Sequence, residues 1–560
     1  MVDQYSELYE TFRWHVPKSF NLATACCYQW SALPSHERRA ALIEHDQAGN
    51  QHIVTFSQLG RASAQLAHGL IRLGVIPGDR VIIVLERAEQ VMTALLACWS
   101  IRAVAVVLSP ELDAEALLPK FKQARSQVLL IDSSTHEASL SAASRCPRIK
   151  LIVGHDVYDG RVMSWRGLIA RQPDRLLVSD SIPSDPALVV WPAVVPADWP
   201  AQCAMVQAHQ SLIGQLPGFV AALDWFPQQA QQLLTTLKPW DDQGLWAAIL
   251  PTLYFGHTVV LQPSLAKPAQ WPDQVSHVVT TPQSLIESLR GDDLISASGG
   301  PKTIAILAHH GLLAHWVQRA QTLYGCTVNR ATYLAGAGLL LAQSHDKWTT
   351  AQSPHLRLVP GHRIRLADES QASQGGANSP QEIEVARTDI TGQTDPGLFM
   401  QQWPLKDQLD VAAQLSDWWR SGLYAHAKPD GTFELLGQRH HWHHTEAGTI
   451  EIALIEQAAW LEPEVCWSEA FIQPDRRQSP SATEVWLLVD VRNSTERGSK
   501  PWRDDLKSRL YNQVLQTLDQ SPESLHVRIG LVNHDEIPKD DVHGRQRWQS
   551  RSAQALIDFL

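Results

Sequence analysis

The sequence has few cysteines and no CxxC pair. Its seven cysteines are scattered over 560 residues, and only Cys26 and Cys27 are adjacent. Such spacing indicates neither a disulfide framework nor a zinc knuckle. A reducing compartment, the cytoplasm, is therefore the predicted location.

Long apolar runs and an excess of positive charge are also missing. No run approaches the roughly eighteen apolar residues that a spanning helix needs, and the first segment, MVDQYSELYETFRWHV, carries acids where a signal peptide requires a basic and then an apolar stretch. Neither membrane spanning nor export is predicted. The net charge of −11, with 44% hydrophobic and 19% charged residues, is typical of globular proteins and argues against nucleic-acid binding.

One internal segment lacks the residue types that its position calls for. Between Trp191 and Gln210 there is no Gly, Ser, Thr, Lys or Arg. The segment follows an apolar run and leads into AMVQAHQSL, which we expect to open a helix. A strand, loop and helix in this order usually cradle a phosphate on backbone amides. Here three prolines remove amides and no side chain supplies a cation, so a phosphate would meet apolar surface.

The rest of the chain alternates helical and strand-like patterns. Its length predicts at least two domains. The runs VIIVL, AVAVVLS, VLLID and IKLIVG, separated by helix-period segments, predict an α/β fold with parallel strands covered on both faces. Beyond about residue 438, TIEIALIEQAAWL, EVWLLVDV, WRDDLKSRLYNQVLQTL and HVRIGLVN predict a compact α+β domain.

The order and spacing of these segments resemble the adenylate-forming (AMP-binding) superfamily, in its acyl-CoA and acetyl-CoA synthetase branch. The resemblance is carried by VTFSQLGRASAQLAHGLIRLGVIPGDRVIIVL, HQSLIGQLPGF, LPTLYFGHTVVL, YGCTVN, VPGHRIRLAD, PDGTFELLGQR and IPKDDVHGRQR. It implies a large N-terminal domain, residues 1–438, and a small α+β lid, residues 439–560. It also implies a reaction in which an acid and Mg·ATP form an acyl-adenylate and pyrophosphate, after which CoA displaces AMP.

The motifs that carry this chemistry in the family are replaced in this sequence. The phosphate loop falls on the segment that begins at Trp191, and no carboxylate for Mg²⁺ stands between YGCTVN and Asp346. The ribose-binding aspartate position holds Leu423, and Arg545 follows Gly544 where the resemblance implies the catalytic lysine. Arginine keeps the charge of lysine, but its guanidinium group is broad and planar, whereas the ammonium group of lysine is compact. Because one lost transition-state donor typically costs about a hundredfold to a thousandfold in rate, four coincident losses leave little catalysis.

The resemblance implies a short set of cleft residues. His309 and His310 stand where the family has a Gly-Gly-Glu type of turn near the nucleotide, and Gln438 and Arg439 lie near the hinge. The candidates for cofactor binding are Trp191, His309, His310, Tyr333, Gln438 and Arg439. No catalytic residue is assigned beyond Arg545 at the lysine position, and packing is the alternative role for Trp191. CoA could still bind between the domains near Arg439 and Arg545.

Two further patterns are assigned no site. The HHWHH run, His440 to His444, would place two imidazoles on one helical face, but no carboxylate or cysteine accompanies it, so no metal is predicted. The acidic pairs that begin at Asp241, Asp292, Asp504 and Asp540 are interpreted as solvated loop or helix-start positions.

Three functions are compatible with these patterns. The preferred hypothesis is a pseudo-synthetase that has lost adenylation and binds a partner protein or an acyl, CoA or nucleotide-like ligand. The first alternative is an active acyl-CoA synthetase with divergent motifs, for which ATP with Mg²⁺, and CoA, would be cofactors. The second alternative is a structural subunit docked on an active enzyme.

Overall fold

The computed structural model of the chain describes most of the large N-terminal part and the secondary-structure elements of the C-terminal part. The residues described are 3–46, 48–192, 194, 199, 203–226, 232–265, 275–290, 301–346, 348, 355–367, 380–403, 417–445, 448–474, 483–491, 500–518 and 526–532. The composition of residues 367–381 and 473–484 predicts polar loops, and both segments lie largely outside these ranges.

Helices and strands alternate through most of the chain, as the sequence predicts. The helices are α1 (Tyr5–Thr11), α2 (Gln29–Ser31), α3 (Phe56–Arg72), α4 (Ala88–Ser100), α5 (Ala114–Ala124), α6 (His136–Ser144), α7 (Trp165–Ile169), α8 (Ser211–Ala222), α9 (Asp242–Gly244), α10 (Leu250–Tyr254), α11 (Pro282–Leu289), α12 (Ala314–Tyr324), α13 (Ile452–Ala459) and α14 (Lys500–Leu518). Single π-helical turns precede α2 and α10, at Thr24–Tyr28 and Leu245–Ile249.

The strands fall into five sheets. They are β1 (Ala40–His45), β2 (Gln51–Thr55), β3 (Arg80–Val84), β4 (Val104–Val107), β5 (Val128–Asp132), β6 (Leu151–His155), β7 (Met163–Ser164), β8 (Pro186–Val190), β9 (Ala204–Ala208), β10 (Gln232–Thr235), β11 (Thr258–Leu261), β12 (Val275–Thr280), β13 (Thr303–Leu307), β14 (Thr327–Leu334), β15 (Gly338–Ala342), β16 (Arg357–Leu358), β17 (Ile364–Leu366), β18 (Gln381–Ala386), β19 (Gln401–Trp403), β20 (Trp418–Ala427), β21 (Phe433–Gly437), β22 (Trp442–Thr445), β23 (Gly448–Glu451), β24 (Val465–Pro474), β25 (Thr483–Val491) and β26 (His526–Leu531).

Local sequence signals account for where these elements begin. Thr55 and Gln58 form a capping box at the start of α3, since the Thr55 hydroxyl accepts the Gln58 amide and the Gln58 side chain accepts the Thr55 amide. Thr281 caps α11 in the same position, followed by a proline in the first turn. Strand β3 is buried along almost its whole length, as expected for a strand covered on both faces.

Two large sheets form the N-terminal part. The first has the order β19-β9-β8-β4-β3-β5-β6-β7, in which β3 to β8 are parallel to one another. The second has the order β16-β15-β14-β13-β12-β10-β11-β1-β2, with parallel strands at its centre. The prediction of parallel strands covered on both faces is confirmed, because helices pack on either side of each sheet.

The segment after Val190 does not follow the expected layout. Residues 204–208 form strand β9, antiparallel to β8, and the helix begins only at Ser211. The expectation that AMVQAHQSL opens a helix is therefore wrong, because five buried residues in a row satisfy their backbone groups by pairing with β8. The phosphate-loop position is thus the connection of an antiparallel strand pair, and most of it lies outside the described residues.

A smaller domain follows the N-terminal part. The last strand of a four-stranded sheet, β17-β18-β20-β21, ends at Gly437. The C-terminal domain contains the hairpin β22–β23 and the sheet β24-β25-β26, and α13 and α14 pack with this sheet around their own core. The fold class, α/β with a small α+β C-terminal domain, is confirmed. A boundary at residue 438 stays a prediction.

Helix α8 lies in the main core between the two large sheets. That core contains Ile83 of the first sheet, Leu339 of the second and Phe219 of α8. Glycines let the helix approach closely. A Cβ on Gly214 would overlap the backbone of Gly397, and one on Gly218 would overlap Leu339 of β15.

No helix in the described ranges combines the length and apolarity needed to cross a membrane. All seven cysteines are free thiols. Burial raises the pKa of Cys27 and of Cys98 to about 12, so these thiols are protonated and unreactive at neutral pH.

We expect Gly214→Ala to lower the stability of the large domain by about 2 kcal/mol, because the new methyl group meets backbone that cannot move independently of β18 and β19. Urea unfolding measures the effect. The matched control is Gly160→Ala, since a Cβ there has no heavy atom within 4 Å. Equal stability of the two variants would contradict the close packing of α8.

Candidate functional site

The candidate site lies where four parallel strands end. Strands β10, β12, β13 and β14 run in the same direction and lie side by side, so their carboxyl ends share one edge of the second sheet. Ligands of open α/β sheets bind in the crevice outside this edge. At the edge, the hydroxyls of Thr236 and Thr280 are 2.9 Å apart and hydrogen-bonded, which ties the end of β10 to that of β12.

Tyr333 lies near the end of β14 and faces the main core. Its side chain is 2% exposed, and its hydroxyl donates to Asp242 Oδ2 at 3.2 Å. Burial raises the pKa of Tyr333 well above its ordinary value. Burial also raises the pKa of Asp242 well above its usual range, and the adjacent Asp241 adds to this shift. Desolvation therefore favours the protonated forms of Tyr333 and Asp242.

The solvated interpretation of Asp241 is only partly right. Asp241 begins a helix, as expected, and its Oδ1 accepts the amide of Gln243 at 3.3 Å. Burial nevertheless raises its pKa, and the side chain keeps some accessible surface. A carboxyl group with partial exposure and strong desolvation lines a crevice rather than an open surface.

Gln207 adds an unsatisfied polar group to the same wall. The residue lies on β9 and is fully buried, and neither its amide nitrogen nor its amide oxygen has a hydrogen-bond partner in the described part of the chain. Its amide lies near the Tyr333 hydroxyl and acts to lower the pKa of that group, against the larger effect of burial. Buried amides without partners are rare and require an explanation.

His309 and His310 follow β13 at the same edge. The Nδ1 atom of His309 is buried without a partner, while His310 Nδ1 donates to the Gly311 carbonyl at 2.8 Å. Burial lowers the pKa of His309 to about 4 and also lowers that of His310. Both rings are therefore neutral at pH 7 and add no positive charge to the crevice.

The hairpin between β14 and β15 has no carboxylate at its tip. The tip consists of Ala335, Gly336 and Ala337, and Gly336 has a φ of 82°. A Cβ on Gly336 would lie 2.7 Å from Met205 Sδ and 3.0 Å from Phe399, so apolar side chains already occupy the space beside it. Within the described residues, no group of three or more His, Cys, Asp or Glu could hold a metal ion.

The remaining sequence candidates are placed elsewhere. The contacts described for Trp191 are with α5: its Nε1 donates to Gln123 at 3.0 Å, and Lys120 Nζ lies 4.7 Å from its ring centre. This arrangement supports the packing alternative. Arg439 lies over the ring of Trp442 at 4.2 Å.

Gln438 precedes a 3₁₀ turn, Arg439–His441, and strand β22 then follows. The HHWHH run is therefore not helical, so His440 and His444 do not share a helical face. Arg545 lies outside the described residues.

Comparison with known proteins gives a family match for part of the chain. Residues 29–191 match the family described as AMP-binding enzyme. The acetyl-coenzyme A synthetase of Coprinopsis cinerea is 27% identical over 176 residues, which are 29% of this chain and 26% of that protein. The human protein acetyl-coenzyme A synthetase 2-like, mitochondrial, is 31% identical over 117 residues, 21% of this chain and 17% of its own length. The matched part is thus about a quarter of these relatives or less.

Solved structures extend the similarity to nearly the whole fold. The anthranilate CoA ligase AuaEII, solved with anthranoyl-AMP, superposes with a TM-score of 0.76 at 16% identity and covers 97% of this chain and 99% of its own. ATP-bound MatB of Rhodopseudomonas palustris has a TM-score of 0.68 at 16% identity, over 93% of this chain and 96% of its own. This chain has the fold of these ligases, and its residues 29–191 match the AMP-binding enzyme family. Its similarity is to the acyl-CoA synthetase branch.

The small domain docks on the turn that carries the two histidines. Glu451 Oε2 accepts the Gly311 amide at 3.1 Å. Gln457 Nε2 donates to the Gly311 carbonyl at 2.9 Å, and its Oε1 accepts the Leu313 amide at 2.9 Å. A Cβ on Gly311 would lie 2.5 Å from the Glu451 carboxylate, so a larger residue would interfere with this contact.

Sequence reasoning missed four charged or polar groups of this region: Gln207, Asp242, Arg330 and Glu451. One signal was available for Arg330, because a charged residue inside the otherwise uncharged strand TVNRATYL is unusual. The other three depend on contacts between distant segments and left no local pattern.

We expect the docking contact of Glu451 to depend on pH. Burial raises the pKa of its carboxyl from 4.5 to about 7. Because the folded state binds the proton more tightly than the unfolded state, the free energy of unfolding falls as the pH rises from about 4.5 to about 7. Glu451→Gln removes this loss and should stabilise the protein by on the order of 2 kcal/mol at pH 8, with little effect at pH 4.

Urea unfolding of both proteins at pH 4 and pH 8 measures this difference. Glu111→Gln, at an exposed position, is the control for a neutralised surface carboxylate. A lower stability of Glu451→Gln at pH 8 would mean that the ionised carboxylate stabilises docking, contrary to the burial argument.

Proposed function

We propose that this protein is a pseudo-synthetase, an acyl-CoA synthetase-like protein that has lost ATP-dependent adenylation and acts by binding a ligand of the acyl, CoA or nucleotide-like class. A second domain remains docked beside the crevice and would hold such a ligand between the domains.

The hairpin tip of β14 and β15 is the observation that carries this proposal. Mg²⁺ requires oxygen ligands, commonly a carboxylate, to bridge a triphosphate. The tip residues Ala335, Gly336 and Ala337 offer none, and Met205 and Phe399 fill the adjoining space. A metal–triphosphate complex in the family's position would therefore meet methyl groups, a thioether and an aromatic ring.

The charges of the crevice support the same proposal. A triphosphate is stabilised by cations and by free backbone amides. His309 is neutral because burial lowers its pKa to about 4, and Asp241 and Asp242 supply no cation. The sequence between Trp191 and Gln210 supplies prolines and no cation.

Calorimetry with Mg·ATP tests the proposal directly. We expect no binding heat at millimolar ATP and no pyrophosphate release when acids of increasing chain length are added with CoA. The control is the same titration with CoA alone, which the loss of adenylation does not affect. Micromolar ATP affinity or acid-dependent AMP formation would overturn the proposal.

An active acyl-CoA synthetase is the second candidate. It is favoured by the similarity over more than nine-tenths of the chain to structures that hold anthranoyl-AMP or ATP. In this candidate Arg545, which lies outside the described residues, supplies the cation at the family's lysine position. Arg545→Ala should then abolish pyrophosphate release, whereas a pseudo-synthetase has no such activity to lose.

A further inference from the structure

Arg330 is a buried cation that the proposed function does not use. It lies on β14 in register with Ile306 of β13, and its side chain is 7% exposed. Its backbone amide donates to Gln343 Oε1 at 2.9 Å, which fixes the strand locally. Side chains alternate along a strand, so Arg330 lies on the same face of β14 as Val328. Val328 packs in the core beneath α11 and α12, whereas Tyr333, on the other face, packs in the main core.

The guanidinium of Arg330 has no partner within the described part of the chain. It forms neither a hydrogen bond nor an ion pair there. The carboxylates of Glu434 and Glu451 are close enough to attract it but do not contact it. Glu434 is bonded to Lys428 Nζ at 2.7 Å, and Glu451 is bonded to the Gly311 amide at 3.1 Å.

Arg330 nevertheless remains charged. Burial lowers the pKa of its side chain to about 10, so it carries a proton throughout the physiological range. Arginine is almost never fully buried unless it is paired, because removing a charge from water is unfavourable. A structural arginine would be expected to contact Glu451 or Glu434, and this one does not.

The surroundings of Arg330 favour a ligand with one negative charge. The neighbouring ring of His310 is neutral, since burial and the charge of Arg330 lower its pKa. His309, on the same turn, has a buried Nδ1 atom that is free to bond. A dianion such as phosphate would leave a second negative charge near Glu434 and Glu451 without a cation to balance it.

We propose that Arg330 anchors an anion-binding subsite that takes the carboxylate of a small organic acid at the boundary of the two domains. A guanidinium presents two parallel donors that match a carboxylate, and the turn that carries His309 adjoins the site. This proposal rests on the proposed function and adds to it the charged group of the ligand. That group would bind on the face of β14 opposite to the one that carries Tyr333 and its contact with Asp242. Binding at this subsite requires neither ATP nor metal.

Fluorine NMR of the full chain with 4-fluorobenzoate tests the subsite, and 4-fluorobenzamide is the uncharged probe of the same shape. We expect the unmodified protein to bind the benzoate and not the amide. Arg330→Met should weaken benzoate binding about tenfold or more, since a charge-assisted bidentate contact is lost. Arg330→Lys should retain an intermediate affinity, and Arg365→Met, at a largely exposed arginine, should bind like the unmodified protein.

Thermal unfolding without ligand separates this role from a structural one. If Arg330 is kept for a ligand, Arg330→Met removes an unpaired buried charge and raises the midpoint of unfolding. If the residue instead stabilises the domain boundary through Glu451 and Glu434, the same variant lowers the midpoint. A lowered midpoint with unchanged benzoate affinity would overturn the proposal.

Competition with inorganic phosphate at constant ionic strength identifies the anion. Displacement of 4-fluorobenzoate by phosphate at lower concentrations than by acetate would overturn the carboxylate assignment. An absence of benzoate binding at about 10 mM would also overturn it, because a dissociation constant above the millimolar range indicates no specific contact. Because no ATP is present, the result is independent of the pyrophosphate assay. Adenylation activity would end the pseudo-synthetase proposal and leave the Arg330 subsite standing.

Discussion

The close approach of helix α8 to its neighbours is the constraint on which the N-terminal domain depends. The helix lies between two twisted sheets, and Gly214 and Gly218 permit backbone contacts that any side chain would block. Buried side chains on α8 then join the two sheets in one core. Because the second sheet is held in this way, the carboxyl ends of its parallel strands form a fixed edge. That edge fixes the position of the crevice and of the polar groups that line it.

The crevice combines strong enclosure with an unusual set of charges. One wall holds a tyrosine hydroxyl, a carboxyl pair with raised pKa values and the unsatisfied amide of Gln207. The turn after β13 holds two neutral imidazoles, and the opposite face of β14 holds Arg330 without a partner. Desolvation is the main cause of the shifted pKa values in this set, because burial disfavours the charged form of each group. Such a site suits recognition of a specific polar ligand better than the binding of a highly charged metal–triphosphate complex.

Much of the fold could be predicted from the sequence because its signals are local. The period of α3, its Thr55 capping box and the uninterrupted apolar runs of β3 and β5 all correspond to the structure. The β9 segment was misjudged because five buried residues between turn signals are compatible with either a helix or a strand. Only pairing with β8, fourteen residues upstream, decides between them. The solvated interpretation of Asp241 was incomplete for a similar reason, since its enclosure comes from strands that are distant in sequence.

The sequence by itself determined the fold class, the resemblance to the adenylate-forming superfamily and the absence of a carboxylate between YGCTVN and Asp346, because these follow from residue order and residue identity. Tertiary structure alone decided that Trp191 packs on α5, that Asp242 meets Tyr333 and that Glu451 reaches the Gly311 amide. It also decided that Arg330 is enclosed without a counter-ion. The physical reason is that ionisation and pairing depend on desolvation and on distances of a few ångströms, which are created only when segments far apart in the chain pack together.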